Sequence, residues 1–239
     1  MAPKLYRELA EWWPLVSPPV DYEDEARRYA ELLGAPAGAD VLELGSGGGH
    51  CAVHLARRYR MTLSDLSEDM LAQSRRLHPG AVHVQGDMRT LRLGREFAAV
   101  FVHDAIGYMT TADDLRAALA TAAAHLLPGG RVLVVPDATR ETFAPGTSTG
   151  GVDDGARGLR FLEWTHDPDP RDTRYRVDYA VLLRDGADVR CVDDHHDLGL
   201  FAIPEWLDAL RAAGLEAETC ELPLDGGAHR VFVGRRARG

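Results

Sequence analysis

An α/β fold built on a doubly wound, largely parallel sheet is what this sequence of 239 residues predicts. Three observations lead there. Strand-like and helix-like segments alternate from Asp40 to Val135, the pattern of parallel strands joined by crossover helices. A glycine-rich turn, Gly45-Ser46-Gly47-Gly48-Gly49, follows the first strand at once, and an acid, Asp65, closes the second strand 20 residues after Gly45.

Taken in order, residues 21–33 open on acids and stop before Gly34, which predicts a helix with a favourable dipole and a glycine end. Asp40 to Leu44 is apolar at adjacent as well as alternate positions, suiting a strand covered on both faces. A helix is expected over 50–58, a strand over 60–64, a helix from Ser67 to about Leu77 and a strand over 81–85. Phe97 to Val102 is a strong strand, and an Ala-rich helix runs from Ala112 to Leu127. Pro128-Gly129-Gly130 is expected to end that helix and turn the chain into a strand from Arg131 to Val135. Residues 141–157, rich in Gly, Thr, Pro and Asp, read as a long loop. Successive strands over 158–164, 173–184 and 188–198, with a turn at Arg184-Asp185-Gly186, form an antiparallel insertion. Pro204-Glu205-Trp206 starts a last helix that Gly214 stops, and His229 to Gly234 is the final strand.

Composition narrows the function. With 45% hydrophobic residues the chain can bury one full core. Acids outnumber bases 37 to 27 and are dispersed, giving a net charge of -10, which disfavours a long nucleic-acid backbone as partner. Cys51, Cys191 and Cys220 are odd in number and far apart, arguing against a disulfide framework and a zinc knuckle and for a reduced cytosol. No apolar run approaches the length of a membrane helix, and the first ten residues lack the core of a signal peptide.

The glycines of the first turn let the backbone bend tightly and approach a ligand without a Cβ in the way. Asp65 stands where a doubly wound fold presents an acid to ribose hydroxyls; it could also cap a turn before Ser67. In Gly86-Asp87-Met88-Arg89, Asp87 can accept from an exocyclic amine while Met88 packs on a ring. A nicotinamide fingerprint would require glycine at position 50, where His50 stands.

Together, Glu43-x-Gly45-x-Gly47-x-Gly49, the Asp65 to Leu71 segment and Gly86-Asp87-Met88-Arg89 resemble the motifs of class I S-adenosylmethionine-dependent methyltransferases. The resemblance implies a Rossmann-like, seven-stranded sheet whose antiparallel last strand is 229–234. It further implies S-adenosyl-L-methionine as cofactor: Glu43 with Gly45, Ser46, Gly47 and Gly49 at its methionine end, Asp65 on the ribose, Asp87 and Met88 on the adenine. Leu66, Met70, Gly86 and His103 complete the expected contacts. A non-catalytic cofactor-binding or sensor protein is an alternative from another class.

For the acceptor, ligands of open parallel sheets lie outside the carboxyl ends of the strands, where the fourth strand ends in His103-Asp104 and continues to Tyr108. His103 and Asp104 are the candidates for acceptor contact and proton removal, Tyr108 for an aromatic wall; each could instead be a turn cap or core residue. Tyr6, Trp12 and Trp13 either enclose a substrate as a lid or pack over the sheet. The segment Asp193 to Asp197 admits a metal reading, but neighbours on a strand face opposite ways, and a solvated edge accounts for it without one. Gly86-Asp87-Met88-Arg89, then Ile106-Gly107-Tyr108, then a β-rich insertion ending in His196 to Phe201 are together similar to the amino-sugar N,N-dimethyltransferase branch, which implies Glu163, Trp164, Arg176, Tyr179 and His196 as lining residues and pairing of two copies through the insertion. The expectation is one methyltransferase domain over 1–239: a helical lid region (1–34), a cofactor-binding core (35–136), a loop and β insertion (137–198), and a final helix and strands (199–239). The expected reaction is methyl transfer to the nitrogen of a small polar metabolite in the cytoplasm, with an alcohol or carboxylate oxygen as the alternative.

Overall fold

The computed structural model describes residues 3–224 and 227–238. Its centre is a seven-stranded sheet. β1 (Asp40–Leu44), β2 (Arg60–Asp65), β3 (Val82–Gln85), β4 (Phe97–His103) and β5 (Leu126–Val135) run parallel to one another. In the order given by hydrogen bonding, β3-β2-β1-β4-β5 is extended by the last two strands of the chain, Gly227–Arg236 and then Leu215–Leu224. Gly227–Arg236 is antiparallel to both its neighbours. The strand order reverses between β1 and β4, and that switch point opens a crevice at the carboxyl ends of the strands.

Helices cover both faces, as a buried parallel sheet requires. Trp13–Val16 (α1) is a single turn, and Glu23–Leu33 (α2) carries Glu23, Asp24 and Glu25 in its first turn and ends at Gly34 in the left-handed region. Ala52–Leu55 (α3) follows the glycine turn; Glu68–Leu77 (α4) is capped by Ser67, whose Oγ accepts from Met70 N at 3.2 Å. Ala112–Ala124 (α5) is capped by Thr111, and Ile203–Ala212 (α6) by Glu205, which accepts from Ala202 N at 2.7 Å. Alternation along β1 divides the core: Leu42 and Leu44 pack with Phe97, Val100, Leu119 and Trp206 on the α5–α6 side, while Val41 packs with Tyr29, Leu33, Leu55 and Phe101 on the α2–α3 side.

The second sheet is antiparallel, in the order β6 (Gly146–Asp154), β7 (Arg157–His166), β8 (Arg174–Asp185), β9 (Asp188–Gly199). One of its faces closes over the crevice; the N-terminal segment packs beneath its far end through Leu5, Leu9 and Trp12 against Leu159, Val181 and Leu183. The remaining strands, β10 (Leu215–Leu224) and β11 (Gly227–Arg236), complete the main sheet.

Four expectations need correction. The helix over 50–58 shrinks to Ala52–Leu55 within a series of turns. The Ala-rich helix stops at Ala124, because Leu126 already pairs with Phe97 in the sheet; Pro128-Gly129-Gly130 sits at a register shift inside β5 instead of ending the helix. The loop over 141–157 contains β6, an edge strand exposed along most of its length, so no inward-facing alternation marked it. β10 was not expected, although Leu215 and Leu222 of this edge strand face inward. The N-terminal region is a succession of short turns, interrupted by Pro14, Pro18 and Pro19, that leads into α2.

Candidate active site

The carboxyl ends of β1 to β5 open into one cavity of about 1150 Å³, roofed by β7–β9 and the N-terminal segment. That exceeds the roughly 300–1,000 Å³ of a typical small-molecule site, so there is room for two ligands side by side.

At the β1–β3 end, Gly45 lies at φ +75°, and a Cβ there would come within 2.3 Å of the Ala105 Cβ and 2.9 Å of the Met88 Cε. Only glycine fits that backbone and spacing. Asp65 fixes the turn: Oδ2 accepts from Gly47 N at 2.8 Å and Oδ1 from Ser67 N at 2.8 Å. Burial pushes the Asp65 carboxyl up, although these backbone donors pull the other way. Each oxygen still has lone-pair capacity for a ribose diol. Glu43, with 3% of its surface exposed, has an Oε2 that meets no donor, and burial, followed by the Asp65 and Asp104 charges, pushes its carboxyl up to about 8. The Ser46 hydroxyl is likewise buried without a partner. Leu66, Met70, Gly86, Asp87 and Met88 line the same wall. Asp87 is clasped by Arg89, whose Nη2 lies 2.6 Å away and which also reaches Asp114; this pairing holds the Asp87 carboxyl below the usual range.

At the β4–β5 end, the His103 ring stacks on Phe101 at 5.6 Å between centroids and places Nε2 3.1 Å from Asp104 Oδ1. Burial lowers the His103 pKa. Asp104, at φ +49°, is the one non-glycine residue in the positive-φ region among the described residues. It begins the turn that carries the chain from β4 to Tyr108, and such strain persists only where the surroundings hold it. Half of its side chain is open to the cavity, yet the enclosing walls, then the Glu25 charge, push its carboxyl up to about 7.

From the roof, Tyr108 Oη donates to Tyr6 Oη at 3.0 Å and lies 2.8 Å from His196 Nδ1, whose Nε2 stands 3.3 Å from Asp194 Oδ2. Asp194, buried, also accepts from Leu5 N at 2.8 Å. This chain ties the N-terminal segment, the β4 turn and β9 together at one point. Trp13, Glu163 and Tyr179 complete the wall with Tyr6, Tyr108 and His196.

The structure keeps four expected residues out of the cavity. Residues Glu163 and Thr165 of β7 face inward, so the intervening Trp164 faces out, 55% exposed and stacked on His166. On β8, Tyr175, Val177 and Tyr179 face inward and Arg176 outward, where it pairs with Asp197. Period-two alternation decides both cases. Trp12 is buried under β7 and β8 with the Arg157 guanidinium 3.9 Å from its ring centroid; the neighbouring Trp13 is the one that turns to the cavity. Gly49 faces α4, where a Cβ would lie 2.5 Å from Ser74 Oγ, so it packs the turn onto the helix. Residues that sequence reading passed over are Tyr22, His50, Asp137, Phe143 and Tyr175, all lining the cavity. Asp137 was findable, since it lies two residues past the end of β5, at the same mouth of the sheet as Asp104 after β4. Among the described residues no three His, Cys, Asp or Glu side chains gather at metal-binding spacing, and no helix is long and apolar enough to cross a membrane.

A glycine turn under an acid-bound loop, at the switch point of this sheet with its antiparallel last strand, defines a class of enzyme, and comparison with known families agrees: residues 41–130 match the family described as "Methyltransferase domain". The chain belongs to the S-adenosylmethionine-dependent methyltransferases. More particularly, it is 37% identical over 222 residues, 90% of this chain and 91% of the relative, to the dTDP-3-amino-3,4,6-trideoxy-alpha-D-glucopyranose N,N-dimethyltransferase of Streptomyces venezuelae. A dTDP-3-amino-3,6-dideoxy-alpha-D-glucopyranose N,N-dimethyltransferase of Streptomyces fradiae is 36% identical, with 88% and 85% covered. The crystal structure of Streptomyces venezuelae DesVI superposes with a TM-score of 0.80 at 33% identity, covering 92% of each chain. Membership removes the nicotinamide alternative and establishes an enzyme with S-adenosyl-L-methionine as cofactor. The residues present fit that cofactor: a glycine cradle that a Cβ would fill, and an unpartnered, buried carboxyl on Glu43 suited to its cationic methionine end.

Proposed function

We propose that the protein transfers methyl groups to the amine nitrogen of a small polar metabolite, an amino sugar carried on a nucleoside diphosphate. The observation that carries this reading is the charge of the cavity. Eight carboxyl side chains line it, including Asp104, Asp137 and Glu163 at the acceptor end, while the cations lining it among the described residues are Arg7 and Arg89. Arg89 is spent on Asp87 and Asp114. A cationic amine is favoured beside Asp104, Asp137 and Glu163, whereas a carboxylate placed at that position would meet groups of its own sign. Names of the relatives that specify amino-sugar N,N-dimethyltransferases support the same substrate class.

S-adenosylmethionine supplies an electrophilic methyl group on a sulfonium. The chain's own part is to bind, orient and manage protons, and holding the acceptor nitrogen in line accounts for much of the rate. We assign Glu43, Gly45, Ser46 and Gly47 to the methionine end, Asp65 to the ribose hydroxyls, and Leu66, Met70, Gly86, Asp87 and Met88 to the adenine. His103 and Asp104 stand where the two halves of the cavity meet and are assigned to acceptor contact; Tyr6, Trp13, Tyr108, Glu163, Tyr179 and His196 wall the acceptor. The whole chain acts as one methyltransferase unit in the reduced cytosol, consistent with three free cysteines. Two copies pair through the outer face of the insertion, where Leu162, Trp164, Leu182 and Val189 lie exposed on one side of β7–β9. Light scattering tests this last point: a dimer is expected, and Trp164→Glu with Leu182→Glu is expected to give monomer. The function itself is tested by incubating the protein with S-adenosylmethionine and a dTDP-linked 3-amino sugar; formation of mono- and dimethylated amine supports it, and transfer to oxygen refutes it.

A further inference from the structure

Asp137 is a carboxyl group without an ion-pair partner among the described residues. It follows β5 by two residues, at the carboxyl end of the strand next to β4. The backbone bond from Asp104 N to Val135 O, 2.9 Å, draws the β4 turn onto the end of β5. Gly107 then lies beside Asp137: a Cβ at 107 would stand 3.3 Å from Asp137 Oδ2, so the glycine keeps the carboxylate uncrowded. Among the described residues no Lys, Arg or His forms an ion pair with Asp137, whereas Asp104 has His103 at 3.1 Å and Asp87 has Arg89. Its carboxylate is open to the cavity, and the chain beyond it, Ala138 and Phe143, joins Tyr108, Tyr175 and Tyr179 in an aromatic, apolar wall. An unpaired carboxylate against such a wall attracts a cation strongly, since little water competes.

We propose that Asp137 is a catalytic residue that seats the ammonium form of the acceptor and takes its proton before each methyl transfer. This rests on the amine reading above. The nitrogen must have a free lone pair to attack. In the seated complex one N–H proton passes to an Asp137 carboxylate oxygen, leaving a neutral amine and a neutral carboxylic acid. The nitrogen lone pair then forms the N–C bond as the methyl carbon's bond to sulfur breaks and its electron pair stays on sulfur. Asp137 returns its proton to water through the open cavity. The methylated product is again an ammonium, so a second transfer needs the same step repeated. Enclosure by the cavity walls, with the Asp104 charge next, pushes the Asp137 carboxyl up to about 8, near the range in which a sugar amine exchanges its proton, so without substrate the group is largely protonated at pH 7 and the arriving ammonium favours release of that proton to water. The titratable groups facing Asp137 are His103 and Asp104 from the β4 turn, Tyr108 beyond it, Glu163 from β7, Tyr175 and Tyr179 from β8, and Tyr6 from the N-terminal segment.

The test uses the full-length protein loaded with S-adenosylhomocysteine and compares, by calorimetry at pH 7, a dTDP-linked 3-amino sugar with its 3-hydroxy counterpart. The wild type is expected to bind the amine about tenfold more tightly, and Asp137→Asn to lose that preference while binding S-adenosylhomocysteine within twofold. In turnover, kcat/KM of Asp137→Asn is expected to fall about 100-fold at pH 7, with the gap closing above pH 9 as the amine deprotonates in solution. If Asp137→Asn does not fold, Asp137→Ser removes the same charge in a smaller side chain. A preference for the amine that survives in the variant, or kcat/KM within threefold of wild type from pH 6.5 to 9.5, overturns the Asp137 role while leaving the amine reading intact. Absence of any preference in the wild type overturns the amine reading, and the Asp137 role with it.

Discussion

The two halves of the cavity are built differently. The cofactor half comes from three consecutive strand ends, β1 to β3, and from turns that bond to one another within about 45 residues of sequence, so its geometry is local. The acceptor half joins the N-terminal segment, the turns after β4 and β5, and three strands of the insertion, held by one buried hydrogen-bonded chain from Tyr6 through Tyr108 and His196 to Asp194. A local, backbone-defined half suits a ligand common to a whole family. A half assembled from remote segments can change its side chains without disturbing the other, which is what the proposed acceptor site requires.

If this contrast holds, variants in the first half reduce cofactor binding and variants in the second reduce acceptor use. The largest effect is expected at Gly45→Val, where a strained φ and a Cβ against Ala105 should weaken S-adenosylmethionine binding by about 100-fold or more. Calorimetric titration measures it. Asp65→Ala should cost about 1–3 kcal/mol of cofactor affinity, roughly 5- to 150-fold, since it releases the ribose and frees Gly47 N and Ser67 N together.

Glu43→Gln divides binding from stability. Its folded pKa, about 8, lies above the ordinary carboxyl value, so the wild type binds more protons folded than unfolded and loses stability as pH rises between those two values. Without ligand the variant should therefore melt higher than wild type at pH 8, by about 2–4 °C per kcal/mol relieved, with the difference shrinking at pH 5. Its cofactor affinity should fall about tenfold, as expected when a charge-assisted hydrogen bond of about 1.5 kcal/mol is lost. A variant that melts lower than wild type at pH 8 would contradict the burial argument.

Tyr108→Phe should raise the acceptor KM about fivefold through loss of roughly 1 kcal/mol of hydrogen bonding, with S-adenosylhomocysteine affinity unchanged. Parallel loss of cofactor affinity would show that the halves are not separable. The smallest effects are expected at Arg176→Ala and Gly49→Ala for different reasons: Arg176 faces solvent, so initial rates should stay within twofold, whereas Gly49→Ala should destabilise the fold, seen in thermal melts, more than it changes ligand affinity per folded molecule.

How much was legible follows the same division. The glycine turn, Asp65 and Asp87 could be read because strand ends and helix starts set their spacing, and β1 to β5 announced themselves by apolar runs between turns. Trp164 and Arg176 were misjudged because strands were identified without fixing which face looked inward, and one-residue parity decides that. Trp12 and Trp13 could not be told apart, since the irregular turns there have no period. Asp137 was missed although the rule that drew attention to Asp104 applies equally to the next strand. β6, an exposed edge strand, lacked the burial that makes a strand conspicuous, and in β10 the buried Leu215 and Leu222 lie far apart on opposite faces.

Nitrogen is proposed to receive the methyl group. Incubation with S-adenosylmethionine carrying a ¹³C methyl label and a dTDP-linked 3-amino sugar, followed by NMR of the product, tests it directly. In the wild type, labelled methyl carbons bonded to the 3-nitrogen are expected, one and then two per sugar. Label on a sugar hydroxyl with the amine left unmethylated would contradict it.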